Sequence, residues 1–246
     1  MVPAVILAAG FGRRIASRTN GGPKALLDLN GRTLLERTID ALRLAGFKEI
    51  IVVTGHAAEL VRPFLAKPVP GLVISERWNA EFDTANNIVS LLAAGDLLGD
   101  GFCLLNCDII FEPSILDDVA RLGSGNWIVL DGDEPLGAEE MKVVLDDRGV
   151  LTRISKTLDP SISAGEFIGI SRFDAAGAAI LLASAQGLVD GGARDLYYED
   201  AIDSAAAGLA VRMLGTRLRP WTEIDDEADY ERSLGVAAQL DAGTPR

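Results

Sequence analysis

Short apolar runs at residues 5–7, 50–53, 72–74 and 102–106 are interleaved with stretches at helical spacing near residues 34–45, 57–65, 87–94 and 113–122. This alternation constrains the chain more than any other feature. A parallel strand can be added to a sheet only through a crossover, and right-handed crossovers through helices yield an α/β, doubly wound, mostly parallel sheet. From Trp127 the texture changes: strand-like segments at 127–130, 143–145, 151–154 and 167–170 are joined by turns such as Asp146-Asp147-Arg148-Gly149. That spacing predicts an antiparallel extension over the sheet's functional edge. Helices near 175–185 and 199–206, a strand near 211–214 and a final helix near 227–240 complete the chain. Without an internal repeat or low-complexity linker, residues 1–240 read as one domain and residues 241–246 as a flexible tail.

The first strand runs directly into Leu7-Ala8-Ala9-Gly10-Phe11-Gly12-Arg13-Arg14, and Gly22-Pro23-Lys24 follows. Open α/β sheets place ligands at the carboxyl ends of their strands. Gly10 and Gly12 have no Cβ and reach positive φ cheaply, so their N–H groups can face phosphate oxygens. Arg13 offers a bidentate fork and Lys24 a mobile point charge. Ile15 stands where G-x-G-x-x-G requires its third glycine, and G-x-x-x-x-G-K-[ST] is absent, so neither common phosphate loop is present. A plain strand-to-helix turn with solvated arginines would also give this pattern, and four basic residues crowded into an acidic chain weigh against it.

The chain has 246 residues, 23 Lys+Arg against 36 Asp+Glu, a net charge of −13 and 48% hydrophobic residues. Such a balance argues against nucleic-acid or anionic-membrane partners, whose phosphates it repels at long range. Cys103 and Cys107, four apart in one apolar run, are too distant on a strand to bridge readily and read as buried small hydrophobes of a reducing compartment. No apolar run spans a bilayer and Val2–Ala9 lacks a basic leader, so a soluble cytoplasmic protein, monomer or homodimer, is expected. His56 is the single histidine, which removes two-histidine zinc and catalytic sites; it reads as a loop residue.

Asp108 follows the strand at 102–106 and so belongs at the same sheet edge as the glycine loop. A carboxylate there can hold Mg²⁺ or can cap the helix near residue 113. Glu223-Ile224-Asp225-Asp226-Glu227 precedes the last helix, where acids complement the helix dipole; one of them can also complete a metal site. No G-x-S-x-G exists, so metal-assisted phosphoryl or nucleotidyl transfer fits better than a hydrolytic triad.

Together these residues resemble nucleotidyltransferases of the NTP-transferase (MobA-like) superfamily, which join a phosphorylated small molecule to a nucleoside triphosphate. The likeness covers nearly the whole chain and implies their Rossmann-like fold. Within that superfamily, Thr84-Ala85-Asn86-Asn87-Ile88-Val89-Ser90-Leu91, Glu166-Phe167-Ile168-Gly169-Ile170 and Tyr197-Tyr198-Glu199-Asp200 are similar to the phosphocholine cytidylyltransferase branch. The resemblance implies that Leu7, Ala8, Ala9, Gly10, Gly12, Arg13, Lys24, Asn86 and Asn87 bind the nucleotide, and that Asp108 and Asp225 hold Mg²⁺. Lys24, Arg13 and Lys156 are then the catalytic cations. Asp108, Lys156, Glu166, Tyr197, Tyr198, Glu199 and Trp221 face the acceptor, although Lys156 by position alone suits a solvated strand end equally and Asn86 and Asn87 suit a helix start. Asn106 stands where relatives often carry a small residue. The expected activity is transfer of CMP from CTP to phosphocholine, with 2-aminoethylphosphonate or another phosphoester as the competing acceptor. The same residues would also suit a sugar-1-phosphate nucleotidyltransferase or a non-catalytic nucleotide-binding regulator.

Overall fold

The computed structural model describes residues 1–243. Strand β1 (Ala4–Ala8) leads through the glycine loop to the short helix α1 (Ala16–Thr19), the small hairpin β2 (Asp28–Leu29) and β3 (Arg32–Thr33), and helix α2 (Leu34–Leu44). Thr33 and Glu36 close a capping box on α2, satisfying two of its free N–H groups. β4 (Glu49–Thr54), α3 (Ala58–Leu65), β5 (Val73–Trp78), α4 (Asn87–Ala93) and β6 (Gly101–Asn106) follow. β1 pairs in parallel with β4 on one side and β6 on the other, and β4 pairs in parallel with β5. The chain therefore builds outward from β1 to β5 and returns to β6, leaving a crevice where the strand order reverses. The glycine loop leaves β1 and Asp108 leaves β6 at that crevice.

The strands are apolar on both faces because both are covered. Val5 and Leu7 pack with α4 and the later helices, while Ala4, Ile6 and Ala8 pack with α2 and the helix after β6. A period of two thus divides one buried strand between two cores.

After β6 comes a strand absent from the sequence expectation, β7 (Ile109–Phe111), and only then α5 (Ser114–Arg121). β8 (Trp127–Asp131), β9 (Lys142–Leu145), β10 (Leu151–Ser155) and β11 (Gly165–Asp174) form the expected antiparallel extension, continuous with the main sheet through the β11–β6 pairing. In the β9–β10 hairpin Asp146 accepts the N–H groups of Arg148 and Val150, as its turn composition suggested. Helix α6 (Ala175–Asp190) runs five residues beyond the expected end, and α7 (Tyr198–Leu209) precedes β12 (Arg212–Gly215), which is parallel to β8. Another unexpected strand, β13 (Trp221–Glu223), pairs antiparallel with β7. Helix α8 (Glu227–Gly243) continues past the expected boundary at 240; the rest of the expected tail lies outside the described residues. Among the described residues no helix is long and apolar enough to cross a membrane.

β11 loses register between Phe167 and Ser171, and Gly169 sits in that interruption at φ 80°. A Cβ there would lie 2.8–3.0 Å from the Asn106 side chain. Gly169→Ala is therefore expected to lower stability by about 1–3 kcal/mol through left-handed strain and displacement of Asn106, read as a lower urea midpoint with an unchanged slope.

Candidate active site

Lys24 begins a single helical turn after Pro23 and is 9% exposed. Its ammonium donates to Asp108 Oδ2 at 3.0 Å and to Asp225 Oδ1 at 2.7 Å. Burial works against that charge, but the two carboxylates outweigh it and raise the lysine's affinity for its proton. Asp225 is held below the usual carboxylate range: burial opposes the shift, and the ammonium of Lys24 and the guanidinium of Arg14 overcome it. Arg14 reaches Asp225 Oδ2 at 2.7 Å.

The two aspartates, remote in sequence, meet because the β7–β13 ribbon aligns Glu223 with Ile109 and the Ile224 N–H donates to the Asp108 carbonyl at 2.8 Å. Asp229 Oδ2 accepts the N–H groups of Asp225 and Asp226 and fixes the following turn. Ligand oxygens of Asp108, Glu223 and Asp225 all lie within 4.8 Å of one another, and Asp108 Oδ1 is buried without a partner. An all-oxygen set with an unsatisfied carboxylate oxygen fits Mg²⁺. Burial and then the charges of Asp108 and Asp225 push the Glu223 carboxyl up to about 8.

Two cavities share Arg14, Asp108, Tyr197 and Asp225. One, of about 330 Å³, is lined by Gly10, Gly12, Arg13, Lys24, Asn86 and Cys107 as well. Of its two glycines only Gly12 takes positive φ, 57°, where a Cβ would come within 3.2 Å of the Lys24 Cβ. The other, of about 160 Å³, adds Asn87, Asn106, Met141, Lys156, Phe167, Gly169, Glu199 and Glu223. Lys156 Nζ lies 5.8 Å from the Tyr197 ring centroid. Glu199, 4% exposed in the first turn of α7, has an unpartnered Oε2. Burial pushes its carboxyl up to about 7.

The structure separates several residues that the sequence analysis grouped. Leu7, Ala8 and Ala9 are buried, the first two within β1, and line neither cavity; the Ala9 carbonyl just beyond the strand accepts the His56 N–H. Asn86 caps α4 and lines the glycine-loop cavity, whereas Asn87 lines the smaller one and accepts the Tyr198 N–H. Tyr198 lines neither cavity: it is fully buried, and its hydroxyl donates to Asn106 Oδ1 at 3.1 Å. Glu166 and Trp221 line a third, strongly acidic cavity with Asp131, Glu139 and Glu140, where the indole N–H is spent on Asp131. Sequence reasoning left Glu223 and Arg14 without roles. The two-residue spacing of Glu223 and Asp225 on an extended segment, which puts both on one side, was the available signal. His56 is indeed a loop residue, bonded to the Gly21 carbonyl at 2.7 Å and packed 4.6 Å from the Phe11 ring.

A glycine-rich basic loop after the first strand, facing paired carboxylates across the sheet's switch point, defines the nucleotidyltransferase class. The chain belongs to the MobA-like NTP transferase family, whose domain profile matches residues 4–156. It is 29% identical over 244 residues to CMP-5'-(3-aminopropyl)phosphonate synthase of Streptomyces rubellomurinus, covering 94% of this chain but only 38% of that longer protein. It is 30% identical over 236 residues to 2-aminoethylphosphonate cytidylyltransferase of Lancefieldella rimae, covering 92% and 89% of the two. The fold matches the solved CTP:phosphocholine cytidylyltransferase of Streptococcus pneumoniae with a TM-score of 0.82 and 24% identity, covering 96% and 99% of the chains.

Glu199 generates a pH prediction. A carboxyl whose folded value is raised to about 7 keeps its proton in the native state while the unfolded chain, near 4.5, has lost it. Native stability from this group therefore falls as pH rises from about 4.5 to 7 and then levels off. Glu199→Gln, which mimics the protonated form, is expected to flatten that slope and to be about 1–3 kcal/mol more stable than the parent at pH 8, measured by urea unfolding across pH without added ligands.

Proposed function

We propose that the protein transfers CMP from CTP to a small acceptor carrying a phosphate or phosphonate at one end and a protonated amine at the other. The observation that carries this reading is the pair of cavities meeting at Asp108 and Asp225. One offers a glycine loop with Arg13 and Lys24 to a triphosphate; the other offers Lys156 to an anionic group and the buried Glu199 carboxyl to a cationic one.

In this reading an oxygen of the acceptor attacks the α-phosphorus of CTP in line and pyrophosphate leaves, with no covalent enzyme intermediate. Lys24 and Arg13 stabilise the charge that builds on the departing pyrophosphate, and Lys156 orients the acceptor's anionic end. Asp108 and Asp225, with Glu223 beside them, would hold Mg²⁺, which when bound supplies charge neutralisation at the α-phosphate. Tyr197 walls both cavities and positions neither reactant by charge.

Among acceptors, a primary-amine phosphonate such as 2-aminoethylphosphonate stands ahead of phosphocholine. Quaternary ammonium groups are recognised by aromatic faces, whereas Glu199 Oε2 is an unpaired hydrogen-bond acceptor that an N–H group satisfies. Tyr198 is withdrawn into the core and Trp221 lies in the neighbouring cavity, so Tyr197 is the exposed aromatic face. The similarity to an aminophosphonate cytidylyltransferase along most of both chains supports the same order. Phosphocholine remains the second reading, supported by the shared fold of the pneumococcal protein.

The deciding experiment is pyrophosphate release with Mg²⁺ and each of CTP, UTP, GTP and ATP, crossed with 2-aminoethylphosphonate, phosphocholine, phosphoethanolamine, inositol phosphate and sugar 1-phosphates. CTP with 2-aminoethylphosphonate is expected to be fastest. A faster phosphocholine reaction would reverse the acceptor order, UTP or GTP with a sugar phosphate would replace the substrate pair, and nucleotide retention with no release would favour a binding protein. Asp108→Ala is expected to lower turnover at least about 10²-fold, with unchanged far-ultraviolet circular dichroism.

A further inference from the structure

The ammonium of Lys24 rests on the two carboxylates best suited to a divalent ion. Its side chain is 11% exposed and bridges Asp108 Oδ2 and Asp225 Oδ1, while Arg14 takes the other oxygen of Asp225. A divalent cation on these carboxylates would find Asp108 Oδ1 free but both oxygens of Asp225 already engaged, and it would repel an ammonium in contact with the pair. The start of the lysine stem passes close to the glycine loop: a Cβ built at Gly12 would lie 3.2 Å from the Lys24 Cβ. The flexible remainder also borders the glycine-loop cavity, so the ammonium has a second set of partners within reach once phosphate oxygens arrive.

We infer that Lys24 is a stand-in cation, holding the Asp108–Asp225 pair together without metal and giving it up when a triphosphate draws the ammonium away. The inference rests on the reading of these aspartates as Mg²⁺ ligands. Metal alone then binds weakly, because it must displace a cation already in place. Nucleotide and metal strengthen one another's binding, since each favours the arrangement with Lys24 moved toward the phosphates. The lysine thus acts twice, as the apo site's counter-ion and as a ligand of the departing phosphates.

The test uses Mn²⁺ alone, titrated into the full chain without nucleotide and followed by electron paramagnetic resonance. Lys24→Met and Lys24→Gln are compared with the parent and with Arg14→Met, which removes an equal charge from Asp225 without removing the bridge. Lys24→Gln keeps an N–H donor between the carboxylates, so a folded protein is available should the methionine variant fail to fold. Both Lys24 variants are expected to bind Mn²⁺ at least about tenfold more tightly than the parent, equivalent to about 1.4 kcal/mol, and Arg14→Met to show a clearly smaller gain. Equal affinities in parent and Lys24 variants, or an equal gain from Arg14→Met, would overturn the stand-in role. Absence of Mn²⁺ binding in every protein would instead overturn the metal reading beneath it. Neither outcome depends on which base or acceptor the protein uses.

Discussion

Three carboxylates gathered within a few ångströms repel one another, and the site exists because cations are built in among them. Asp108, Glu223 and Asp225 are brought together by backbone pairing, which fixes their spacing whatever their charge. Lys24 and Arg14 then offset the repulsion from the glycine-loop side. Buried ion pairs are weak evidence for stability, since the desolvation they cost is comparable to what their attraction returns. Their value here is positional: the network fixes the glycine loop, the end of β6 and the turn before α8 relative to one another.

That arrangement also explains why one edge of the sheet carries two neighbouring cavities. The glycine-loop cavity presents backbone and basic groups, whereas the smaller cavity is closed by a wall of α7, β11 and the end of β6. Asn106 and Gly169 line that wall and Tyr198 backs it from the core, with the tyrosine hydroxyl bonded to the asparagine and the glycine giving the asparagine room. A small residue at position 106 would leave the tyrosine hydroxyl without this partner. Asn106 is thus matched by the glycine facing it across the sheet.

Much of the architecture was legible in the sequence because strands buried on both faces write themselves as continuous apolar runs, and β1, β4 and β6 do so. The positions of the glycine loop and Asp108 were legible because strand ends set where they fall, whereas Asp225 was singled out from its acidic cluster by the family resemblance. β7 and β13 were missed because each is only three residues long, and neither has a pattern except through the other. With the ribbon unseen, Glu223 looked like helix-start acid rather than a neighbour of Asp108. Which of Tyr197 and Tyr198 is buried was not legible for a related reason: two adjacent tyrosines at a helix start point in different directions, and only the packed core decides between them.

The same ribbon sets an order on the birth of the molecule. Asp225 lies 201 residues from the lysine it pairs with, and the neighbouring contacts from α8 to the first forty residues span similar distances, Arg18 to Glu227 and Arg37 to Asp241 among them. Contacts this distant in sequence form late, because the chain between them must first be ordered. The residues through Arg219 include Lys24 and Asp108 but neither Glu223 nor Asp225, so the last stretch of chain supplies two of the three carboxylates. The cluster is therefore complete only when β13 has paired with β7.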